Sequence, residues 1–238
     1  RARLYFALHH LIVDAVSWRI LMEDVKRLYE GESLGEKTSS YRQWVEAVDT
    51  YQAGHPDERD YWAGVQDGQA DMSCHAISYV VHEHQIQLDK ANTKALLRTA
   101  NQAYHTEIND LLLTALAYAL TTWNQVTTHV IALEGHGREM IDERLDVSRT
   151  VGWFTTCYPV KLELQDELSA SIKHIKESLR SIPNKGIGYV QDEVALPLIS
   201  FNYLGQFDTE ASADWQLADE LSGLQIASEN AHTNLIDI

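Results

Sequence analysis

The chain has 238 residues, 45% of them hydrophobic and 23% charged, a composition typical of a folded globular protein and not of a disordered or fibrous one. Its 19 basic and 35 acidic residues give a formal net charge of −16, which argues against a surface that binds nucleic-acid phosphates. The longest apolar run, residues 111–120, is shorter than the roughly 20 residues that cross a bilayer, so we expect no membrane span.

The two cysteines, Cys74 and Cys157, are spaced neither as a CxxC pair nor as part of a zinc site. We expect no secretory leader before the first apolar run. Together these features favour a cytoplasmic setting, in which cysteines stay reduced.

The first quarter of the chain is predicted to form one short strand followed by helices. Residues 4–8 (LYFAL) have the pattern of a short buried strand, and the apolar residues of 15–29 recur at helical spacing. Asp14 stands where the N-cap of that helix belongs, and Gly31 follows its end. Further helices are indicated by YRQWVEAVDTYQAG (41–54) and RDYWAGV (59–65).

Strands and helices alternate in the remainder of the chain. Residues 76–89 are rich in β-branched side chains and are predicted to be extended, before a helix that ends near residue 103. The later elements are a helix apolar nearly all round (107–123), a strand (128–133), a mostly extended segment (150–164), an amphipathic helix ended by Pro183 (168–182) and an apolar strand (196–208). This order predicts an α/β fold or a layered α+β sandwich.

The segment HHLIVD, residues 9–14, places two histidines and an aspartate between the first strand and the first helix. Neighbouring residues of an extended backbone point to opposite faces, so only one of His9 and His10 can enter a given cleft. A histidine at the mouth of a cleft can exchange a proton near working pH. Taken alone, the segment fits both a capped helix start and a catalytic turn, and Asp14 is structural in either interpretation.

The segment EGHGR places Glu134 at the end of the strand over 128–133, followed by two glycines. Arg138 could pair with Glu134 or with another carboxylate such as Asp14, and the pairing would tune the proton affinity of the glutamate. A glycine turn with a solvated ion pair is the competing interpretation. These five residues alone leave both open.

Other patterns point to no site. His82 and His84 would share a strand face, but they lack an obvious third metal ligand. Ser17 lacks the G-x-S-x-G elbow of serine hydrolases. The loop NKGIGY, residues 184–189, lacks the spacing of a phosphate-binding loop, and nothing near Lys185 would support pyridoxal phosphate.

Six segments follow one another along the chain: HHLIVDAVSWRIL, TEINDLLLTAL, EGHGRE, TVGWFTTCYPV, IPNKGIGY and FNYLGQFD. Taken in this order, they resemble the epimerization domain of nonribosomal peptide synthetases, a relative of the condensation domain. HHxxxD alone would also fit condensation domains, whereas the SW of residues 17–18, EGHGR and FNYLGQ are typical of the epimerizing branch. The resemblance spans almost the whole chain.

The resemblance implies a layered α/β fold of two chloramphenicol-acetyltransferase-like lobes with a tunnel between them. On that pattern the chain is an excerpt that contains mostly the second lobe. Residues 1–35 would form the end of the N-terminal lobe, with the HH motif, and residues 36–238 the crossover and the C-terminal lobe.

The resemblance also implies an isomerase that removes the Cα proton of an L-aminoacyl or peptidyl thioester and returns it to either face, giving an L/D mixture. The substrate would arrive on the 4′-phosphopantetheine arm of an upstream peptidyl carrier protein, and a condensation domain would follow downstream. Neither pyridoxal phosphate nor a metal is implied, and neither a nucleic acid nor a membrane is an expected partner.

Matched motif to motif, the catalytic positions of the family fall on His10, Glu134 and Tyr203, and the supporting positions on Asp14, Arg138, Asn202 and His9. We expect Glu134 and His10 to exchange protons with Cα, and burial to raise the pKa of Glu134 towards the working pH. Tyr203 and Asn202 would donate hydrogen bonds to substrate or enolate. Asp14 and Arg138 would orient these groups and balance their charge.

Two alternative functions stay open. A condensation domain would use His10 to assist the attack of an amine on a thioester, and its product would be a new peptide bond. A non-catalytic lobe would only dock a carrier protein between active neighbours.

Overall fold

The computed structural model describes residues 2–65, 82–190, 196–205 and 234–238, with isolated positions from 215 to 230. The α-helices in this part of the chain are α1 (Ala15–Tyr29), α2 (Tyr41–Gly54), α3 (Glu58–Val65), α4 (Lys90–Lys94), α5 (Asn101–Tyr104), α6 (Ile108–Asn124) and α7 (Leu168–Arg180). The strands are β1 (Thr128–Gly135), β2 (Thr156–Glu163), β3 (Ile199–Phe201) and β4 (Ile236–Asp237). A π-helical stretch, Ala95–Ala100, joins α4 to α5. This mixture of helices and one sheet confirms the layered α/β class.

The four strands form one sheet in the order β2, β1, β3, β4. β1 and β2 are antiparallel, and their register sets Glu134 opposite Cys157. β3 runs parallel to β1, with Leu133 beside Phe201. β4 runs parallel to β3, with Ser200 beside Asp237. The ends of β1 and β3 therefore meet at the same edge of the sheet.

One face of the sheet packs against α6 and α7 to form the main core. Ile131 of β1, Leu113 of α6 and Ile175 of α7 are each 0% exposed there. A smaller cluster, centred on Trp44 and Phe154, lies beneath the loops that follow β1. The main core supports the strands, and the smaller cluster supports the segments around the end of β1.

Local capping signals fix the helix starts. The Asp14 carboxylate accepts a hydrogen bond from the Ser17 backbone N–H (2.6 Å) and caps α1. Ser40 and Gln43 form a reciprocal capping box at the start of α2. The predicted bounds of α1 and α2 are confirmed, because caps and hydrophobic spacing agree at both helices.

The strand predicted over residues 4–8 is wrong. Those residues form no strand, and the side chains of Leu4 and Tyr5 are 62% and 69% exposed. A strand needs a neighbouring strand for its backbone hydrogen bonds, and the described sheet contains β1 to β4 alone. An apolar run without such a neighbour stays irregular.

The extended segment predicted over 76–89 is not a strand where it is described, at residues 82–89. His82 and His84 therefore do not share a strand face. Residues 76–81, Cys74 and residues 206–208 lie outside the described residues. α7 ends at Arg180, two residues before the predicted end. No helix in the described part of the chain is long and apolar enough to cross a membrane.

The main core supplies a stability prediction. Ile131→Ala removes a fully buried side chain from the central strand and should lower the free energy of unfolding by about 2–5 kcal/mol. Met140→Ala, at a residue that is 80% exposed, should change it by less than about 0.5 kcal/mol. Urea unfolding followed by circular dichroism measures both, and equal losses would contradict the assignment of the core.

Candidate active site

Glu134 lies near the end of β1, where its side chain reaches solvent. The parallel register that pairs Leu133 with Phe201 brings Asn202 level with it, and the Asn202 side-chain amide donates a hydrogen bond to Glu134 Oε2 (2.5 Å). Asn202 is itself fixed by its backbone N–H, which donates to the Ile238 carbonyl (2.8 Å). The sheet thus presents a carboxyl group held by a neutral donor.

The pKa of Glu134 is raised above its ordinary value. The surrounding protein removes part of the water around the carboxyl although the side chain still reaches solvent, and this partial desolvation is the largest cause. The negative charge of Asp237 acts in the same direction. The charge of protonated His10 and the hydrogen bond from Asn202 oppose the shift without cancelling it. A carboxyl with a raised pKa is better suited to exchange protons near neutral pH.

The two neighbouring histidines have different surroundings. His9 Nδ1 accepts a hydrogen bond from the Leu11 backbone N–H (3.1 Å), which caps the 3-10 turn His10–Ile12. The His10 ring is exposed, and its contact is edge-on with the Trp153 ring, with centroids 6.1 Å apart. His9 therefore shapes the turn, whereas His10 lies near enough to Glu134 for its charge to act on the pKa of that carboxyl.

Asp14 is almost fully buried, with 3% of its surface exposed, and both of its oxygens are engaged. Oδ1 caps α1, and Oδ2 accepts a hydrogen bond from the Phe154 backbone N–H (3.1 Å). One side chain therefore joins the start of α1 to the segment before β2.

Arg138 pairs with Asp14 and not with Glu134, which settles the choice that the sequence left open. Its Nη2 lies 3.2 Å from Asp14 Oδ1 and donates to Ser17 Oγ (3.0 Å), and the guanidinium side chain is only 8% exposed. Its plane lies over the Phe154 ring, 3.8 Å from the centroid. We name Arg138, Asp14 and Ser17 the Arg138 latch.

Further hydrogen bonds extend the latch into the segment 147–154. Arg138 Nη1 donates to the carbonyls of Val147 and Thr150, each at 2.8 Å. Ser17 Oγ donates to the Gly152 carbonyl (2.9 Å). Gly137 has a φ of +64°, and a Cβ there would lie 1.6 Å from the Phe154 carbonyl oxygen, so only glycine fits. The latch holds the HH turn and the end of β1 in one arrangement.

Tyr203 is half-buried and packs against the main core. Among the described contacts, none joins it to Glu134 or His10, and its catalytic role stays a prediction. The described residues also contain no group of three or more His, Cys, Asp or Glu side chains arranged to hold a metal ion.

Sequence reasoning missed two neighbours of Glu134. Cys157 lies opposite it on β2, and burial, together with the charge of Glu134, raises the pKa of its thiol to about 11. The thiol is therefore protonated at working pH and is a poor nucleophile. Asp237 on β4 accepts hydrogen bonds from Ser200 (2.5 Å) and Asn234 (2.6 Å). Strand register brings both residues here, and no local motif signals them.

The chain matches the model of the condensation domain family over residues 1–235. A solved epimerization domain, from the third module of tyrocidine synthetase B, aligns with a TM-score of 0.80 and 36% identity, over 97% of this chain and 58% of that one. The first condensation domain of the calcium-dependent antibiotic synthetase aligns with a TM-score of 0.62 over 82% of this chain and 47% of that one. At 14% identity, that second likeness shows the fold alone.

Two biosynthetic proteins are similar in sequence. Gramicidin S synthase 1 of Brevibacillus brevis is 41% identical over 89% of this chain. N-(5-amino-5-carboxypentanoyl)-L-cysteinyl-D-valine synthase of Amycolatopsis lactamdurans is 40% identical over the whole of it. The chain spans 22% and 7% of the length of these two relatives.

The Arg138 latch predicts a large stability difference between two arginines. Arg138→Met keeps a long side chain at this position but leaves Asp14 without its cation, so the free energy of unfolding should fall by about 3–5 kcal/mol. Arg144→Met breaks an ion pair with Asp142 in which the arginine is 88% exposed, so it should change the free energy of unfolding far less than Arg138→Met does. Urea unfolding distinguishes the two, and similar losses would contradict the role given to the latch.

Proposed function

Because the chain belongs to the condensation-domain family, we propose that it performs the epimerizing chemistry of that family. The reaction would move the Cα proton of a carrier-bound L-aminoacyl or peptidyl thioester and yield an L/D mixture. The observation that carries the proposal is the Arg138–Asp14 ion pair, which ties the turn that carries His10 to the end of β1, where Glu134 has a raised pKa.

The comparisons support the epimerizing branch over the condensing one. Identity to the solved epimerization domain is more than twice that to the solved condensation domain. The match to the general condensation model is compatible with both branches, so peptide-bond formation is the alternative that the experiment below must distinguish.

In the proposed reaction the Glu134 carboxylate takes the Cα proton. The electron pair of the C–H bond moves into the thioester carbonyl and forms an enolate, and the His10 imidazolium then gives a proton to Cα from the other side. In the reverse direction the two groups exchange roles. Both side chains are exposed, so afterwards Glu134 can release its proton to water and His10 can take one up.

The contacts of the supporting residues define their proposed roles. Asn202 donates to Glu134, and so it would orient the base instead of binding the enolate directly. Tyr203 is the remaining candidate for an enolate hydrogen bond. Asp14 and Arg138 would act through the latch, because they hold the HH turn beside the end of β1.

The substrate would be delivered by a partner and not by a cofactor of this chain. A peptidyl carrier protein would present the thioester on its phosphopantetheine arm, with a condensation domain downstream. Residues 1–35 would belong to one lobe and residues 36–238 to the crossover and the second lobe, and the thioester would enter between them.

Loss of either proton-exchanging group should abolish turnover. In the complete domain, Glu134→Gln and His10→Ala should each lower Cα hydrogen exchange by at least about 100-fold, because each removes a general acid–base group. The measurement is deuterium uptake at Cα of an L-aminoacyl carrier protein in deuterated water. Glu163→Gln and His174→Ala are matched controls, because both residues are partly exposed and lie away from the end of β1.

Three outcomes would contradict the proposal in different ways. Exchange at the wild-type rate in both variants would refute the assignment of Glu134 and His10. A new amide bond to a carrier-bound amine, without Cα exchange, would identify a condensation domain. Carrier binding with neither reaction would identify a docking lobe.

The Asn202 hydrogen bond predicts a shift in pH dependence. This bond favours the charged form of Glu134, so Asn202→Ala should raise the pKa of the carboxyl further. The base is active when deprotonated, and the acid limb of kcat/KM for Cα exchange should therefore move to higher pH. Asn202→Asp adds a negative charge and should move the acid limb to a higher pH than Asn202→Ala does. An unchanged acid limb in both variants would show that Glu134 is not the titrating base.

A further inference from the structure

A buried polar cluster lies beneath the loop that packs behind Glu134. Glu58 at the start of α3 is 8% exposed, and its Oε1 accepts a short hydrogen bond from the Tyr51 hydroxyl of α2. The same hydroxyl accepts a hydrogen bond from the Asn184 side-chain amide (2.5 Å). We name Glu58, Tyr51 and Asn184 the Glu58 cluster.

The donor at the centre of this cluster keeps its proton over the whole working pH range. Burial, followed by the hydrogen bond to Glu58, raises the pKa of Tyr51 to about 12. Tyr51 can therefore donate to Glu58 and accept from Asn184 at the same time. The Tyr51 hydroxyl therefore keeps its proton near neutral pH.

The packing around Glu58 leaves one of its carboxyl oxygens without a polar partner. Its Oε2 is buried and has no hydrogen-bond partner among the described residues. A Cβ at Gly188 would lie 1.7 Å from this oxygen, so the loop backbone closes directly over the carboxyl. An unpartnered buried carboxyl oxygen is unfavourable and needs a compensating role.

The loop 183–188, which the Glu58 cluster holds, has a strained backbone that needs hydrogen bonds from outside the loop. Asn184 and Lys185 have φ of 36° and 51°, in the left-handed region that residues with a Cβ avoid, and Gly186 follows at 82°. The Asn184 side chain makes one such hydrogen bond, to Tyr51, and the Gln52 amide adds a second through the Ile187 carbonyl (3.0 Å).

The other side of the loop touches the active-site strand. The Lys185 carbonyl accepts a hydrogen bond from Thr156 Oγ1 (3.0 Å), and Thr156 is paired with Gly135 in the sheet. A Cβ at Gly135 would lie 2.7 Å from Thr156 Oγ1 and 3.5 Å from the Lys185 carbonyl oxygen. Gly135 directly follows Glu134, so a displacement of the loop is passed to the residue proposed as base.

We propose that Glu58 is a positioning residue, which holds the loop 183–188 against Gly135 through Tyr51 and Asn184 and so fixes the direction of the Glu134 carboxyl. The proposal rests on the function proposed above. Glu58 acts through the loop and not on the substrate, so its loss lowers kcat for Cα exchange and leaves KM unchanged.

The decisive variant is Asn184→Gly, because it removes the side-chain hydrogen bond to Tyr51 and, in the same change, relieves the backbone strain of a left-handed φ at residue 184. The thermal unfolding midpoint should not fall, whereas kcat should fall about tenfold, since small misplacements of a reacting group slow catalysis strongly. Lys185→Gly is the matched control, because it makes the same backbone change but keeps the hydrogen bond to Tyr51, and its kcat should equal that of the wild type.

Glu58→Gln should retain kcat, because its amide oxygen still accepts from Tyr51, whereas Glu58→Ala should lose about tenfold.

Backbone amide exchange of residues 134–137 provides a readout that is independent of catalysis. It should speed up in Asn184→Gly and stay unchanged in Lys185→Gly. Unchanged kcat and unchanged amide exchange in Asn184→Gly and Glu58→Ala would overturn the positioning role. A wild-type protein without Cα exchange would overturn the proposed function alone, and amide exchange at 134–137 would then decide the positioning role by itself.

Discussion

A buried guanidinium needs partners both for its charge and for its donors. Arg138 finds them for its charge and for its two terminal nitrogens on two other segments, while its Nε has no hydrogen-bond partner among the described residues. Asp14 and Ser17 come from the start of α1, the carbonyls of Val147 and Thr150 from the loop before β2, and the ring of Phe154 covers its plane. Removing a charge from water is unfavourable by several kcal/mol unless such partners are present. The start of α1, the segment 147–154 and the end of β1, which carries Arg138, therefore stabilise one another.

The direction in which Arg138 points also determines the chemistry available to Glu134. An arginine paired with Glu134 would lower the pKa of the carboxyl and make it a weak base. Because the guanidinium turns to Asp14, Glu134 is left with the neutral amide of Asn202, and burial raises its pKa. The same ion pair holds the turn that carries His10. One buried interaction thus positions His10, the proposed acid, and leaves Glu134, the proposed base, with a raised pKa.

Local signals in the sequence predicted the elements but not their contacts. α1 and α2 have the bounds expected from capping residues and hydrophobic spacing, and Asp14 is the predicted cap. The strand over residues 4–8 failed, because a strand requires a neighbour that no local pattern supplies. The partner of Arg138 is 124 positions away and that of Asn202 is 68 positions away, so the motifs left the partner of Arg138 open between Glu134 and Asp14 and did not indicate that of Asn202. The link between Tyr51 and Asn184 spans 133 positions and gave no signal.

The central claim is that His10 and Glu134 share one site, and it is tested most directly by titrating the Glu134 carboxyl carbon by NMR, assigned with Glu134→Gln. We expect a midpoint above the ordinary glutamate value, because burial disfavours the carboxylate. In His10→Ala the midpoint should rise further, because the nearby positive charge that favours the carboxylate is lost. A Glu134 midpoint that is the same with and without His10 would show that the two groups do not act on one another, and would contradict the account.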